Sequence, residues 1–427
     1  MNYSNSLQEE ERSFNLMRFL LLAMIGGTIF LLPYARGLYY DQMLAYLNLT
    51  PIEFGSVLAL YGTTSTIGTF FSGVLADRYS AKWLLVISLI ATGAGGFILL
   101  SRPSYYGFMG LYILWGLSIT FTYNSAHYKA IRYTGTADQQ GKMYGLVGGF
   151  RKLFTAGVAF IGAAVFAAYA ASTAETEEQG FVMVMSLYTA IYFIVALAVI
   201  IFWKKDQPIA VEERWKLKDS IAVFKHPATW YLGFIIYFVY GMDLSLYTIL
   251  TPYMSNVLGI DSSSNVALAA VRTYGFPFLG GLIFGLVLDK VADKIRACQV
   301  AVALAACFVA SMLFIPIHGG FWHAVFFGVL GGYIMCNQGA YLTAFSLLDE
   351  ADIPKKITGS IIGVSISIGF LPDITMNYFS NWLVGTYGFE LGTRYVMMLV
   401  IVHGVIAIFL YSMFRRYLRK YHSPARA

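Results

Sequence analysis

The chain has 427 residues, of which 58% are hydrophobic and 12% charged, with a formal net charge of +6. A soluble domain carries about 25% charged residues, so a soluble globular protein of this size is excluded. The apolar residues fall in runs of roughly 20, the length that crosses a bilayer as a helix, and the expected class is an all-α membrane protein.

In chain order, residues 1–17 form a polar, acidic tail. It lacks the basic n-region and cleavage site of a signal peptide, so no removal is expected. Apolar runs then read as spans at about 18–47, 51–74, 83–100, 106–128, 143–170 and 181–203, a first bundle over 18–203. The stretch 204–227 carries six basic residues in 204–226 and no long apolar run, and reads as a linker. Spans return at about 229–257, 266–288, 297–317, 321–347, 357–384 and 393–414, a second bundle over 228–414, before the tail 415–427. The expectation is therefore twelve transmembrane helices in two six-helix bundles. The cysteines Cys298, Cys307 and Cys336 lie in or beside apolar runs without metal-ligand spacing and read as packed thiols.

The basic residues divide unevenly among the connections. One set holds Arg78, Lys82, Lys129, Arg132, Lys142, the linker, Lys290, Lys294, Arg296, Lys355 and Lys356; the opposite set holds Arg102 and Arg394. The excess of Lys and Arg marks the cytoplasmic side, which places both tails and the linker there.

The connection after the second span reads SGVLADRYSAK, and its skeleton returns after the eighth as FGLVLDKVADKIR. Gly73, Asp77 and Arg78 correspond to Gly285, Asp289 and Lys290, the mark of a duplicated membrane protein. With Lys82, and with Ser80 where a glycine is usual, the first copy resembles the loop between helices 2 and 3 of the major facilitator superfamily. That resemblance implies transport by alternating access of two bundles in the cytoplasmic membrane of a bacterium. It also implies gate roles for Gly73, Asp77, Arg78, Asp289 and Lys290, no cofactor, and a cavity lined most by helices 1, 4, 7 and 10. The Gly-Pro element that drug exporters of the family carry on helix 5 is absent from GLVGGFRKLFTAG. Arg36, with Gly55 following, is similar to the basic residue late in helix 1 of the organic-anion transporters. Those carry a partner arginine on helix 7, where this chain instead offers Arg272 on its eighth span.

An ionisable group inside a span costs several kcal/mol and normally faces water or a partner. Arg36, Arg151, Lys152, Asp243, Arg272 and Asp373 are such groups, with His127 beside them. Arg36 lies roughly 27 Å along the axis from Arg18, past the midplane. Neighbours on a helix point about 100° apart, so Arg151 is assigned to the cavity and Lys152 to snorkelling. Cations outnumber acids, and guanidinium forks match carboxylate, phosphate or sulfonate oxygens, so the expected cargo is a small organic anion.

The candidate substrate-binding set is Arg36, Tyr40, Tyr123, Asn124, Arg151, Tyr247, Arg272, Asn337 and Gln338. Pairing of Arg272 with Asp243, and of Arg36 with Asp373, is the structural alternative. Asp243, Asp373 and His127 are the candidate proton-coupling groups, and His403 on the twelfth span reads as a packed histidine. A proton-coupled symporter of a neutral solute such as a sugar is the other transport reading. No nucleotide loop, metal cluster or paired catalytic groups point to an enzyme. Expected partners are the small solute, a coupling proton or sodium ion and the bilayer, with no nucleic acid and a monomeric state.

Overall fold

The computed structural model describes residues 16–132, 134, 140–169, 174–203, 224, 226–288, 291, 293–344, 361 and 364–422. Among these residues the regular elements are helical and no strand occurs. Two compact units emerge: Met1–Asn48 with Thr63–Trp215, and Leu49–Gly62 with Lys216–Ala427. The start of the second span thus groups with the second unit, away from the expected 18–203 bundle. Glycine permits this. A Cβ on Gly62 would lie 2.5 Å from the Asp373 carbonyl carbon, and one on Gly55 would lie 2.6 Å from Asn381 Cβ.

The first unit opens with α1 (Leu16–Thr28), a 3-10 turn at Ala35–Gly37 and α2 (Tyr40–Leu47). Pro33 cannot donate an amide hydrogen, and its ring clashes with the carbonyl four residues back, that of Ile29. A side chain from far along the chain takes over that carbonyl: the Tyr192 hydroxyl donates to Ile29 O at 2.8 Å and accepts from Leu32 N at 3.3 Å. The Tyr112 hydroxyl donates to Pro33 O at 3.3 Å. Asn48, in left-handed conformation (φ 52°), ends α2.

The next helix, α3 (Pro51–Arg78), begins in the second unit with a capping box. Thr50 N donates to Glu53 Oε2 at 2.8 Å while Glu53 N donates to Thr50 Oγ1 at 3.3 Å. Then come α4 (Ala81–Leu100), α5 (Tyr105–Leu117), a π-helical turn at Ser118–Asn124, α6 (Ser125–Arg132), α7 (Gln140–Tyr169) and α8 (Ala174–Phe202). In lipid, apolar burial alone gives helices little reason to associate, so close packing and interhelical hydrogen bonds carry the load. Ser88 Oγ donates to Ser118 O at 2.8 Å, and Trp115 Nε1 to Thr92 O at 3.0 Å.

The second unit holds α9 (Pro227–Tyr247), α10 (Leu250–Asn256), α11 (Ser262–Ala270), a π-helical turn at Val271–Gly275, α12 (Phe276–Leu288), α13 (Lys294–Met312), α14 (Gly320–Ala344) and α15 (Pro372–His422), the last broken at Gly388 (φ 79°). Leu232, Ile236, Val239 and Met242 of α9 belong to one apolar core with Val302 and Val309 of α13 and with Val400, Ala407 and Tyr411 of α15.

Among the described residues, seven helices are long and apolar enough to cross a bilayer, or eight if the bent pair Tyr40–Leu47 and Pro51–Thr69 is one span. The shortfall from twelve has visible causes. The expected first and fourth spans are interrupted and fall outside the seven, whereas the seventh and eighth are counted despite their breaks, as Pro227–Asn256 and Ser262–Phe284, and Val364–Arg419 runs as one stretch through the break at Gly388.

The ends of the helices answer to charge. Lys82 Nζ donates to the last carbonyls of α8, Ile200 O at 2.9 Å and Trp203 O at 2.8 Å, where the helix dipole favours a cation. In the second unit the polarity is reversed, with Asp293 at the start of α13 ion-paired to Arg415 of α15. Arg102 and Arg394, the basic residues expected opposite the cytoplasm, each pair with a glutamate, Glu178 and Glu390 respectively.

Candidate functional sites on the interrupted helices

In the first unit, three sequence-predicted residues meet on α1. The π-helical turn and α6 bring Tyr123 and His127 to bear, and both are buried. Their rings stack at 4.8 Å, with the Tyr123 hydroxyl 3.3 Å from His127 Nδ1. His127 Nε2 is 2.9 Å from Leu22 O. A carbonyl only accepts, so the ring proton sits on Nε2, and Nδ1 accepts from Tyr123. The tyrosine oxygen is then available to the Arg151 side chain of α7, which hydrogen-bonds it. Gly26 makes room: a Cβ there would lie 2.6 Å from Arg151 Cδ and 3.2 Å from His127 Nε2.

Arg36 lies in the break of the first span and is wholly buried. Its guanidinium carbon sits 4.5 Å from the Tyr34 ring centre, and Nη1 donates to Pro33 O at 3.4 Å. Tyr40 is also fully buried, at the start of α2, while Asn124 is half-buried.

In the second unit, Arg272 falls in the π-helical turn, where Pro277 lacks the amide that Thr273 O would otherwise accept. The buried guanidinium donates through Nη2 to Thr251 Oγ1 at 3.0 Å and to Tyr247 O at 3.3 Å. Both partners lie where α9 gives way to α10. Asp243, one turn earlier, acts electrostatically on Arg272 and on Tyr333, whose hydroxyl donates to Met242 O at 2.7 Å.

A second cluster surrounds Asp373, just inside α15 after Pro372. Its two carboxylate oxygens each accept from the Tyr240 hydroxyl at 3.2 Å. Tyr240 packs on Phe370 at 5.0 Å and on Tyr341 at 5.8 Å. Tyr341 is one turn beyond Asn337 and Gln338 on α14, of which Asn337 is buried and Gln338 half-buried.

Of the gate candidates, Arg78 is exposed at the end of α3. Gly73 and Asp77 lie within α3, with side chains outside those described, and Asp289 and Lys290 lie outside the described residues. Sequence reasoning did not single out Tyr192, Tyr112 or Thr251, which hold the interrupted segments in place. The prolines Pro33, Pro252 and Pro277 were the available signal, since each removes an amide and leaves a carbonyl needing a donor.

A multi-pass helical membrane protein with buried arginines and carboxylates on broken helices has the architecture of a membrane transporter, not of an enzyme. The chain belongs to the Major Facilitator Superfamily, whose family model matches residues 14–374. It is 27% identical over 409 residues to the inner membrane protein YihN of Escherichia coli K12, covering 92% of each chain. It is 24% identical to the inner membrane protein YqcE of the same organism, covering 96% of this chain and 98% of that one. Among solved structures, the nucleoside transporter NupG superposes with a TM-score of 0.70 at 13% identity, covering 93% of this chain and 99% of that chain. A bacterial homologue of the human lysosomal transporter Spinster, inward-facing and unoccupied, gives 0.72 at 13% identity, covering 95% and 96%.

Proposed function

We propose that this protein is a secondary active transporter that moves a small organic anion (a carboxylate, phosphate ester, sugar acid or sulfonate) across the bacterial inner membrane. Twelve spans in two six-helix bundles, with both tails cytoplasmic, would carry the alternation, with Gly73, Asp77, Arg78, Asp289 and Lys290 at the gates. The observation that carries the anion reading is the setting of Arg272. It is buried and aimed by a hydroxyl and a carbonyl at an interrupted helix, an arrangement that keeps a guanidinium fork in one orientation. Arg151, bonded to the His127-held Tyr123, is the corresponding group of the first unit. Asp243 and Asp373 are the proposed proton-coupling groups, and His127, with both nitrogens engaged, orients Tyr123.

The neutral-solute symporter is favoured by a different observation. Asp373 sits among Tyr240, Phe370 and Tyr341, a carboxylate beside aromatic faces, as sugar-like cargo would need. The NupG neighbour is named a nucleoside transporter. Uptake of radiolabelled glucose 6-phosphate, gluconate, glucose and uridine into proteoliposomes separates the two readings. The anion reading expects Arg151→Ala and Arg272→Ala to abolish uptake of an anionic member; undiminished uptake in both variants removes it.

A further inference from the structure

The spans of this protein contain two buried histidines whose nitrogens are in opposite states. Both nitrogens of His127 are engaged, one by Leu22 O and one by the Tyr123 hydroxyl. His403, on the second half of α15, has one engaged nitrogen. Its Nδ1 is 2.9 Å from Leu399 O, and since a carbonyl only accepts, the proton sits on Nδ1. Nε2 is then a bare lone pair. It is buried, the residue being 4% exposed, and it has no hydrogen-bond partner among the described residues.

An unsatisfied acceptor in a membrane interior costs free energy that a packed side chain of the same shape would not incur. Its surroundings give that cost a purpose. A Cβ on Gly241 of α9 would lie 3.0 Å from His403 Cδ2, 3.3 Å from Nε2 and 3.6 Å from Pro372 Cγ. The Cδ2–Nε2 edge of the ring therefore packs closely against the bare backbone that this glycine leaves on α9, near Pro372.

We propose that His403 is a proton-binding site of the second unit, working with Asp373. The reaction is addition of a proton from water to Nε2, which turns the imidazole into an imidazolium with Nδ1 still bound to Leu399 O. Among the titratable groups on the packed elements are Tyr237, Tyr240 and Asp243 on α9, Asp373 on α15 and Cys298 and Cys307 on α13. The Tyr237 ring stacks on His403 at 6.3 Å, Tyr240 donates to Asp373, and Cys307 is exposed. In this proposal Asp373, next in the chain to the Pro372 that borders the same glycine, is the carboxylate that answers a charge on His403. This deepens the proposed coupling role of Asp373 and rests on it; the anion assignment can fail without touching it.

The chain has six histidines, few enough for direct observation. Nitrogen-15 NMR of histidine-labelled protein, assigned by His403→Gln and His127→Gln, reports each ring's tautomer and protonation, with no solute required. The expected result is a Nδ1–H tautomer for His403 that takes up a proton within about pH 5 to 8. Asp373→Asn is expected to move its midpoint by about one pH unit. Proton uptake by the detergent-solubilised protein, read with an indicator dye, should fall by one proton per molecule in His403→Gln. Gly241→Ala crowds the Cδ2–Nε2 edge but keeps the imidazole, and should suppress the titration in a chain whose His127 signal is unchanged. The proposal is overturned if His403 keeps one protonation state throughout that range, if Asp373→Asn leaves its midpoint in place, or if Gly241→Ala titrates as the natural chain does.

Discussion

In the first unit a buried arginine, Arg151, reaches a tyrosine that is itself held by a histidine; in the second, Arg272 reaches a threonine and the backbone of an interrupted helix. The carboxylates differ too. Asp243 and Asp373 both belong to the second unit, beside Arg272 and Tyr240 respectively. Two halves with a repeated sequence skeleton have therefore acquired different chemistry on similar scaffolds. The first holds Arg151 through a tyrosine that a histidine positions, whereas the second holds Arg272 through one side-chain hydroxyl and one main-chain carbonyl. Substitutions that fall on one side of this comparison should fail in ways that the other side's do not.

The largest effect is expected from Arg272→Ala, which removes a buried guanidinium and leaves Thr251 and the Tyr247 carbonyl without it. Such truncations cost about 2–5 kcal/mol, so uptake of an anionic solute in proteoliposomes should fall on the order of 100-fold or more. Arg272→Lys keeps the charge but not the fork, and should recover only a minor part of the loss. If Arg151→Ala costs as much, the two units share cargo recognition equally; a tenfold smaller loss would place most of it in the second.

Next comes Asp373→Asn. It should abolish uptake driven by a pH gradient while leaving solute exchange at equal pH on both sides nearly intact. Asp243→Asn should weaken both, because Asp243 also acts on Arg272.

Tyr192→Phe tests the first unit's broken span. Removing the hydroxyl strips Ile29 O of a donor and Leu32 N of an acceptor. An unmet buried group costs about 1–3 kcal/mol, which should appear as a lower Tm in a thermal-shift assay, with a change of several degrees.

Asp261→Ala should do least. Asp261 caps α11, and the Ser264 amide beside its carboxylate holds its pKa below the usual carboxylate range. A group with a depressed folded pKa stabilises above its unfolded value, about 3.9 for Asp, and that stability is lost as pH falls through the folded value. The Tm deficit of the variant, corresponding to about 0.5–1 kcal/mol at neutral pH, should therefore shrink on acidification below pH ~4.

Much of the fold could be read from the chain because lipid enforces long apolar runs and spaces the charges between them. The interruptions were legible in part: Pro33, Pro252 and Pro277 announce missing amides. Their remedies were not. Nothing in the local sequence says that Tyr192 will serve Ile29, since the pairing joins residues 163 positions apart in a chain with 31 tyrosines. The arginine and aspartate candidates stood out by their cost in oil. His403 did not, because its character depends on which nitrogen meets Leu399 O and on the close approach that Gly241 allows. Those are facts of three-dimensional placement, which composition does not carry. The Leu49–Gly62 segment crossed the expected boundary for a similar reason, through glycines whose packing partners lie on α15.

The Tyr192 phenol has a wider implication. Part of the stiffness of the bend in the first span does not reside in that span. It is borrowed from α8 through one oxygen that grips the chain on both sides of the gap. A hinge secured by a remote hydroxyl can be loosened without altering the hinge, so drift at position 192 alone would retune how firmly the segment carrying Arg36 is seated.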